Sequence, residues 1–503
     1  MLQKAIVRFA VFLTLLMTVV FFFSNHFSAK SSERSGRQPR LLVLLLDGIP
    51  YHLFQETQRE GLFGYLYPTA RMIAPFPSIS NPSFARMFTD KKLPGYVRGY
   101  FNIQNNKKEE NYGALTALVG AMSWERIVQY SDNNTLQKLG SFIFPLATTL
   151  REIDQLEEAF FRSEDPIFFG YIGGTDALAH MLGREKTKGF LTKLDARLKE
   201  ILHKYEERTG RPLLLMLVSD HGNNMIPLKF RDWEAILAKK GFHYDEALHD
   251  DRSVVKVVEG FATVTTLHTA GRHDRELAES LIQDKAVDLI TYRSGNKVVV
   301  LSKEGSAEIE HGKRGYRYHP FTGDPLNYAP LLQKLSAEGK VDQNGFIKDE
   351  DLFPITLNHQ YPDALHRIYD GFFTLTENPP NLIVSLKDGY TSADKTLLRT
   401  LETVSGIYAH VEGSHGALLA SHSNGIFTSN FMPFPDIRPE ELRKYIDLSH
   451  FGIKAEKPVV NIALAQDVRY PEKGSVVSRP LPADKEFQIA YYLWFSPTYL
   501  SDY

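Results

Sequence analysis

Three short apolar runs, each closed by an acid, constrain this chain more than any other feature. Leu41 to Leu46 reads LLVLLL and ends at Asp47 and Gly48. Ile167 to Ile172 leads through Gly173, Gly174 and Thr175 to Asp176, and Leu213 to Val218 ends at Ser219, Asp220, His221 and Gly222. Runs of this length without polar alternation suit strands buried on both faces, as in a parallel sheet. Between the second and third lies a helical pattern over Phe190 to Tyr205, with Leu191, Leu194, Leu198, Ile201 and Leu202 in phase, Gly210 as C-cap and Pro212 as stop. Alternating strand and helix predicts an α/β fold with a doubly wound, mostly parallel sheet, whose ligands collect at the carboxyl ends of the strands. Three acids at three such ends should face one crevice.

The composition narrows the chemistry. Basic residues number 58 and acidic residues 60, a net charge of -2, so no field exists to hold a nucleic acid by its phosphates and no nucleic-acid polymer is expected as a partner. Cys is absent, which removes disulfides, thiolate nucleophiles and Cys-based zinc sites. A metal would then sit on His, carboxylate and hydroxyl groups. Asp176 and His180 are one helical turn apart and point the same way if a helix leaves the strand there. Asp220 and His221 are adjacent, and both can ligate only where the chain turns, which Gly222 permits. His415 stands in the Gly-flanked stretch EGSHG. Each residue alone reads equally well as an ordinary loop or turn residue. Together, their types, order and strand-end positions are what a divalent metal site needs without thiolates.

The nucleophile should be a hydroxyl. Residues 74 to 88, APFPSISNPSFARMF, offer Ser78, Ser80 and Ser83 ahead of a short apolar helix pattern at Phe84, Met87 and Phe88. A Ser at a helix N-terminus meets unpaired backbone N–H groups that would also hold a phosphoryl oxygen. An N-cap role suits Ser83 better than Ser80. These residues alone leave the choice among the hydroxyls open, with Ser80 as the candidate and Ser78 as the fallback.

The N-terminus predicts an export signal or anchor. Phe9 to Phe23 is apolar apart from two Thr, follows Lys4 and Arg8, and approaches the roughly 20 residues of a spanning helix once its flanks are added. FFFSNHFSAK supplies no good small-residue pair for cleavage, so residues 1–27 read as an uncleaved anchor and 28–39 as a polar stalk. The expectation is a membrane-anchored protein with its large domain exported to a periplasmic, extracellular or lumenal space. Residues 40–240 with 380–455 read as the catalytic domain, 241–379 as an inserted α+β cap, and 456–503 as a C-terminal extension. Asn381 to Leu386, NLIVSL, reads as a further core strand. Lys313, Arg314, Tyr316, Arg317 and Tyr318 could bind an anionic or flat leaving group, although a solvated charged hairpin explains them more simply.

The order LLVLLLDG, PSISNPS, GGTDALAH, VSDHG and GSHG resembles the alkaline phosphatase superfamily, and within it the type I phosphodiesterase/nucleotide pyrophosphatase branch, from Asp47 to roughly Ile453. The resemblance implies one metal held by Asp176, His180 and His415, and a second by Asp47, Ser80, Asp220 and His221. It implies zinc at both, with manganese as an alternative. It also implies a phosphate-ester substrate, Ser80 as nucleophile, and an Asn about twenty residues onward touching the phosphoryl group, for which Asn102 is the candidate. Most members of that branch carry Thr where Ser80 stands; Ser is shared with the phosphatase and phosphoglycerate mutase branches, which leaves diester against monoester open. A sulfatase would need Ser-x-Pro-x-Arg, and the chain reads Ser80, Asn81, Pro82, Ser83, Phe84. Two alternatives keep the metals and change the role. One is a phospho-group transferase to a lipid or glycan acceptor, and the other a metal-stabilised binding module. Oligomeric state is not legible.

Overall fold

The computed structural model describes residues 40–109, 123–132, 140–257, 262–392, 423–451, 453 and 468–471. The chain divides into residues 1–38, which lie outside the described residues, and residues 39–503, to which the following refers. Among the described residues no helix is long and apolar enough to cross a membrane.

The strands run in chain order β1 (Leu41–Leu46), β2 (Ala70–Met72), β3 (Tyr100–Asn102), β4 (Lys107–Glu109), β5 (Ile167–Ile172), β6 (Leu214–Ser219), β7 (Lys229–Phe230), β8 (His243–Tyr244), β9 (Ser253–Val257) and β10 (Val264–His268). They continue as β11 (Val287–Ser294), β12 (Lys297–Ser302), β13 (Gly305–Gly312), β14 (Gly315–Gly323), β15 (Leu382–Leu386), β16 (Tyr390–Thr391) and β17 (Gly425–Ser429). The helices that matter for the site are α1 (Tyr51–Arg59), α2 (Ser80–Phe88), α3 (Pro145–Arg162), α4 (Gly174–Thr209) and, in the cap, α5 (Ala364–Phe373).

The three apolar runs form the middle and one edge of a five-stranded sheet in the order β2-β17-β6-β1-β5. β1 pairs in parallel with both β5 and β6, whereas β17 is antiparallel to β6 and β2, so the sheet is mixed. Alternate residues of β1 face opposite layers. Leu42, Leu44 and Leu46 join a core with α1, α3 and α4, and Leu41, Val43 and Leu45 join one with α2 and the 3-10 turn Pro439–Lys444. Burying each such side chain contributes roughly 2 kcal/mol, which is why a strand apolar on both faces lies inside the sheet. The register sets Leu46 level with Ile172 on one side and Ser219 on the other. One residue further, Asp47, Gly173 and Asp220 leave the sheet at the same height.

The expected helix over Phe190 to Tyr205 is the second half of α4, which ends on a left-handed Gly210 (φ 67°). Its first half begins at Gly174 and breaks at Gly183, whose φ of 70° only glycine adopts at little cost. Asp176 and His180 both fall in that first segment.

The inserted region folds around an eight-stranded sheet in the order β14-β13-β12-β11-β15-β10-β9-β8, antiparallel except for the β8–β9 pair. β15 corrects one sequence expectation. Leu382–Leu386 is no core strand but pairs with β10 and β11 in the middle of the cap sheet. An apolar run shows that a strand is buried, not which sheet buries it. The inserted sheet therefore continues past residue 380. Its core extends to Phe76, Ile79 and Tyr96, beside Ser80, and the Tyr96 hydroxyl donates to Gly371 O on α5. Tyr316 and Tyr318 belong to the same core, and Arg314 and Arg317 pair with Asp342 and Glu310. These four hold the inserted sheet together, and Lys313 and Arg314 lie exposed in the turn between β13 and β14.

Candidate metal and nucleophile site

Asp47, Asp220 and His221 come together as the strand register requires. One donor atom from each lies within 4.8 Å of the others, the one such group of three among the described residues. His221 Nε2 is 3.5 Å from Asp47 Oδ1 and 3.3 Å from Asp220 Oδ2. The other ring nitrogen, Nδ1, lies 2.8 Å from Gly222 O. A carbonyl can only accept, so Nδ1 carries the proton and Nε2 turns its lone pair toward the two carboxylates.

Ser80 completes the group. Its Oγ is 3.1 Å from Asp47 Oδ1 and 3.0 Å from His221 Nε2, and its single proton can go to one of the two. Ser80 is the first residue of α2, after an extended Ile79 that makes no side-chain cap; Pro82 has no N–H and the Ser83 amide donates to Ile79 O, so the helix start offers the amides of Ser80 and Asn81. Ser83 is not the N-cap. Its hydroxyl donates to Asp220 O at 2.7 Å and ties the helix that carries Ser80 to the end of β6. The Ser78 hydroxyl donates to Pro75 O and accepts from Arg367, which occupies it with structure and removes it as the fallback nucleophile.

The electrostatics of this cluster oppose its charges. Burial, then the neighbouring charges of Asp220 and Asp176, push the Asp47 carboxyl well above the ordinary range. Burial likewise raises Asp220, although the Gly48 amide, donating at 3.1 Å, works against it. Asp220 Oδ2 is buried and has no hydrogen-bond partner among the described residues. An orphaned carboxylate oxygen, a second buried acid and an imidazole lone pair form a donor set of oxygen and nitrogen that fits a divalent cation.

Asp176 and His180 form a neighbouring pair, with His180 Nε2 3.3 Å from Asp176 Oδ1 and His180 fully buried. Gly48 holds the pair close to the first cluster. It adopts a φ of 66°, and a Cβ there would meet Asp176 Oδ1 at 2.5 Å. The amide of Gly174, at the start of α4, donates to the buried carboxylate of Glu152, which favours the positive end of the helix. His415, the third residue expected with this pair, lies outside the described residues. Asn102 stands in the β3–β4 hairpin, where its Oδ1 accepts from Asn105 N at 3.0 Å and its side chain hydrogen-bonds Glu109.

Several residues that shape the site were not singled out in the sequence. Thr175 Oγ1 donates to Asp47 O, and Ser219 Oγ accepts from Ile49 N while donating to His221 O. Gly425 at the start of β17 packs so tightly that a Cβ would meet Ser219 O at 2.1 Å. Tyr171 donates to Asp47 Oδ2. Its only signal was a hydroxyl in an otherwise apolar strand, IFFGYI.

The chain belongs to the type I phosphodiesterase/nucleotide pyrophosphatase family, whose model matches residues 99–403. That makes it a member of a family of phosphoric ester hydrolases. The matched span holds Asn102, Asp176, His180, Asp220 and His221, and leaves Asp47, Ser80 and His415 outside it. No curated protein matches the chain. Among solved structures it is similar to murine ectonucleotide pyrophosphatase/phosphodiesterase 5, at 11% identity and a TM-score of 0.43, over 83% of this chain and 96% of that one. The human counterpart matches at 13% identity with the same TM-score and coverage. An inactive variant of the murine protein, solved in complex with AMP, matches at 11% identity and a TM-score of 0.42, over 84% of this chain and 96% of that one.

Proposed function

We propose that this protein is a membrane-anchored, exported two-metal hydrolase of phosphate esters that works through a phosphoseryl intermediate on Ser80. The observation that carries the reading is the contact of Ser80 Oγ with both Asp47 and His221 at the N-terminus of α2. A hydroxyl held between a carboxylate and an imidazole at a helix start is placed to lose its proton and to attack a phosphorus whose oxygens would meet the positive end of that helix.

Asp47, Ser80, Asp220 and His221 would hold one zinc or manganese ion, and Asp176, His180 and His415 the other. Such ions supply positive charge to the phosphoryl oxygens and lower the pKa of an oxygen nucleophile. The side chains do the rest. Ser80 Oγ forms the bond to phosphorus as the ester oxygen leaves with its electron pair and takes up the proton that Ser80 gives up, and water then cleaves the phosphoseryl bond, its OH going to phosphorus and its proton to Ser80 Oγ. Ser83 keeps α2 in line with β6 through this cycle. Asn102 is proposed as a phosphoryl contact on the family resemblance alone. The N-terminal apolar segment supports the anchored, exported placement.

The test is hydrolysis of bis-p-nitrophenyl phosphate by the detergent-solubilised full chain with zinc and with manganese. Ser80→Ala should lose about 10³-fold or more in turnover while keeping two metals per chain. Full activity in that variant would overturn the assignment. Product that appears only when a lipid or glycan acceptor is added would replace hydrolysis by transfer.

A further inference from the structure

One buried cation joins the inserted region to the segment that leads into Ser80. Arg367, on α5, is only 1% exposed. Its Nη2 donates to the Ser78 hydroxyl at 3.1 Å and to the Ser423 hydroxyl at 3.3 Å, and its Nη1 donates to Pro362 O at 3.1 Å. A guanidinium is a rigid planar fork, so one group can hold two segments at a set spacing. Burial lowers it to about 10 while the charge of Asp363 works the other way, and it stays protonated at neutral pH.

The spacing along α5 explains why this face meets that segment. Arg367 and Gly371 are one helical turn apart and share a face. A Cβ at Gly371 would meet Phe76 O at 2.6 Å, so the helix lies directly on the residues before Ser80. A second route runs through Tyr96, whose hydroxyl donates to Gly371 O and whose carbonyl accepts from the Asn81 side chain at 3.1 Å. On the other side, Ser423 O accepts from Gly222 N at 2.7 Å, one residue past His221. The guanidinium therefore spans from a residue two before Ser80 to the segment that holds the neighbour of His221. Ser80 Oγ and His221 Nε2 are the atoms that lie 3.0 Å apart.

From this geometry, and resting on the reading of Ser80 as nucleophile, we infer that Arg367 is a positioning residue through which the inserted region fixes Ser80 Oγ against His221 Nε2. Attack on phosphorus needs the nucleophile in line with the leaving oxygen, and an error of about 1 Å can cost about 100-fold in rate. A buried side chain of this kind acts without touching the substrate. Its loss should appear in kcat rather than in KM.

The test uses the detergent-solubilised full chain, with turnover of bis-p-nitrophenyl phosphate expressed per zinc-loaded chain. Ser78→Ala and Arg367→Met should each lower kcat by about 10–100-fold and leave KM within about twofold. Arg367→Lys should recover part of the loss, since an ammonium keeps the charge but not the fork. In the double variant the loss should equal that of Arg367→Met alone, because both changes remove the same bond. Ser78→Ala removes a single oxygen and tests the inference even where Arg367→Met does not fold. Wild-type kcat in Ser78→Ala, losses that multiply in the double variant, or a lysine variant no better than the methionine one would each overturn the inference. With Ser80→Ala inactive, those results leave the hydrolase reading intact. Full activity in Ser80→Ala would overturn both.

Discussion

Two buried clusters of ionisable groups, one at the strand ends and one between the cap and the helix that carries Ser80, have opposite electrostatics. At the strand ends, Asp47 and Asp220 are both pushed toward their neutral forms by burial and by neighbouring acids, Asp220 and Asp176 for the first and Asp176 for the second. In the second cluster, Arg438 forks onto Asp363 and Asp349, and His366 lies 3.4 Å from Asp370 and 3.5 Å from Glu440, with Arg86 near both acids. Burial disfavours these charges too, but the partners outweigh it. Glu440 is held well below its ordinary value, and His366, surrounded by Asp370, Asp363 and Glu440, rises to about 9. A buried charge with its counter-charge in place is complete, whereas a buried group of acids without one awaits a cation. The difference separates a structural knot from a functional site although both are rich in Asp and His.

Removing a charge should therefore act in opposite directions in the two clusters. Asp220→Asn retains the acceptor for Gly48 N and supplies a donor toward His221 Nε2. It should cost more than about 100-fold in metal affinity at that site, yet raise the unfolding midpoint of the metal-free protein, because an unpaired buried charge disappears. Chelator competition and urea unfolding read the two effects; a less stable metal-free variant breaks the comparison. Asp363→Ala should do the reverse. It takes away one of the two carboxylates on Arg438, which is 11% exposed and keeps Asp349, and should lower unfolding stability by about 1–3 kcal/mol in urea titrations, with metal content unchanged.

An effect of similar size is expected from pH. The folded-state value of His366, about 9, lies above its ordinary 6.5, so the stability it contributes is complete below pH 6.5 and is lost as pH rises through 9. The loss should reach up to about 3 kcal/mol, and His366→Gln should flatten the stability profile across that window. The smallest effect concerns Asn102. With its side chain engaged by Asn105 and Glu109, Asn102→Ala should lower kcat/KM by less than about tenfold, measured on bis-p-nitrophenyl phosphate. A loss comparable to that of Ser80→Ala would make it a principal phosphoryl contact.

Much of the site was legible because strand ends are legible. Apolar runs that stop at Asp47 and Asp220 mark where buried strands end, and parallel pairing then sets those acids level without further information. Ser83 was misjudged as a cap because its hydroxyl bonds a strand end 137 residues away in the chain, which no local pattern encodes. The aromatic and basic run at residues 313 to 318 read as a surface hairpin or a binding loop. It is a hairpin, with Lys313 and Arg314 exposed in the turn between β13 and β14, while Tyr316 and Tyr318 turn inward to a core, since alternation along a strand tells which residues share a face but not what lies against it.

The amino-acid sequence alone determined the alternation of strands and helices, the acids and histidines at the strand ends, the absence of thiol chemistry, and the hydroxyl that stands nearest a helix start. Tertiary structure decided which sheet receives Leu382–Leu386, that Ser78 is spent on Arg367, and that Tyr171 takes one oxygen of Asp47. The reason is physical. Periodicity and composition report how each residue is solvated, and solvation is local, whereas a hydrogen bond between neighbouring strands depends on a register that only the folded sheet imposes.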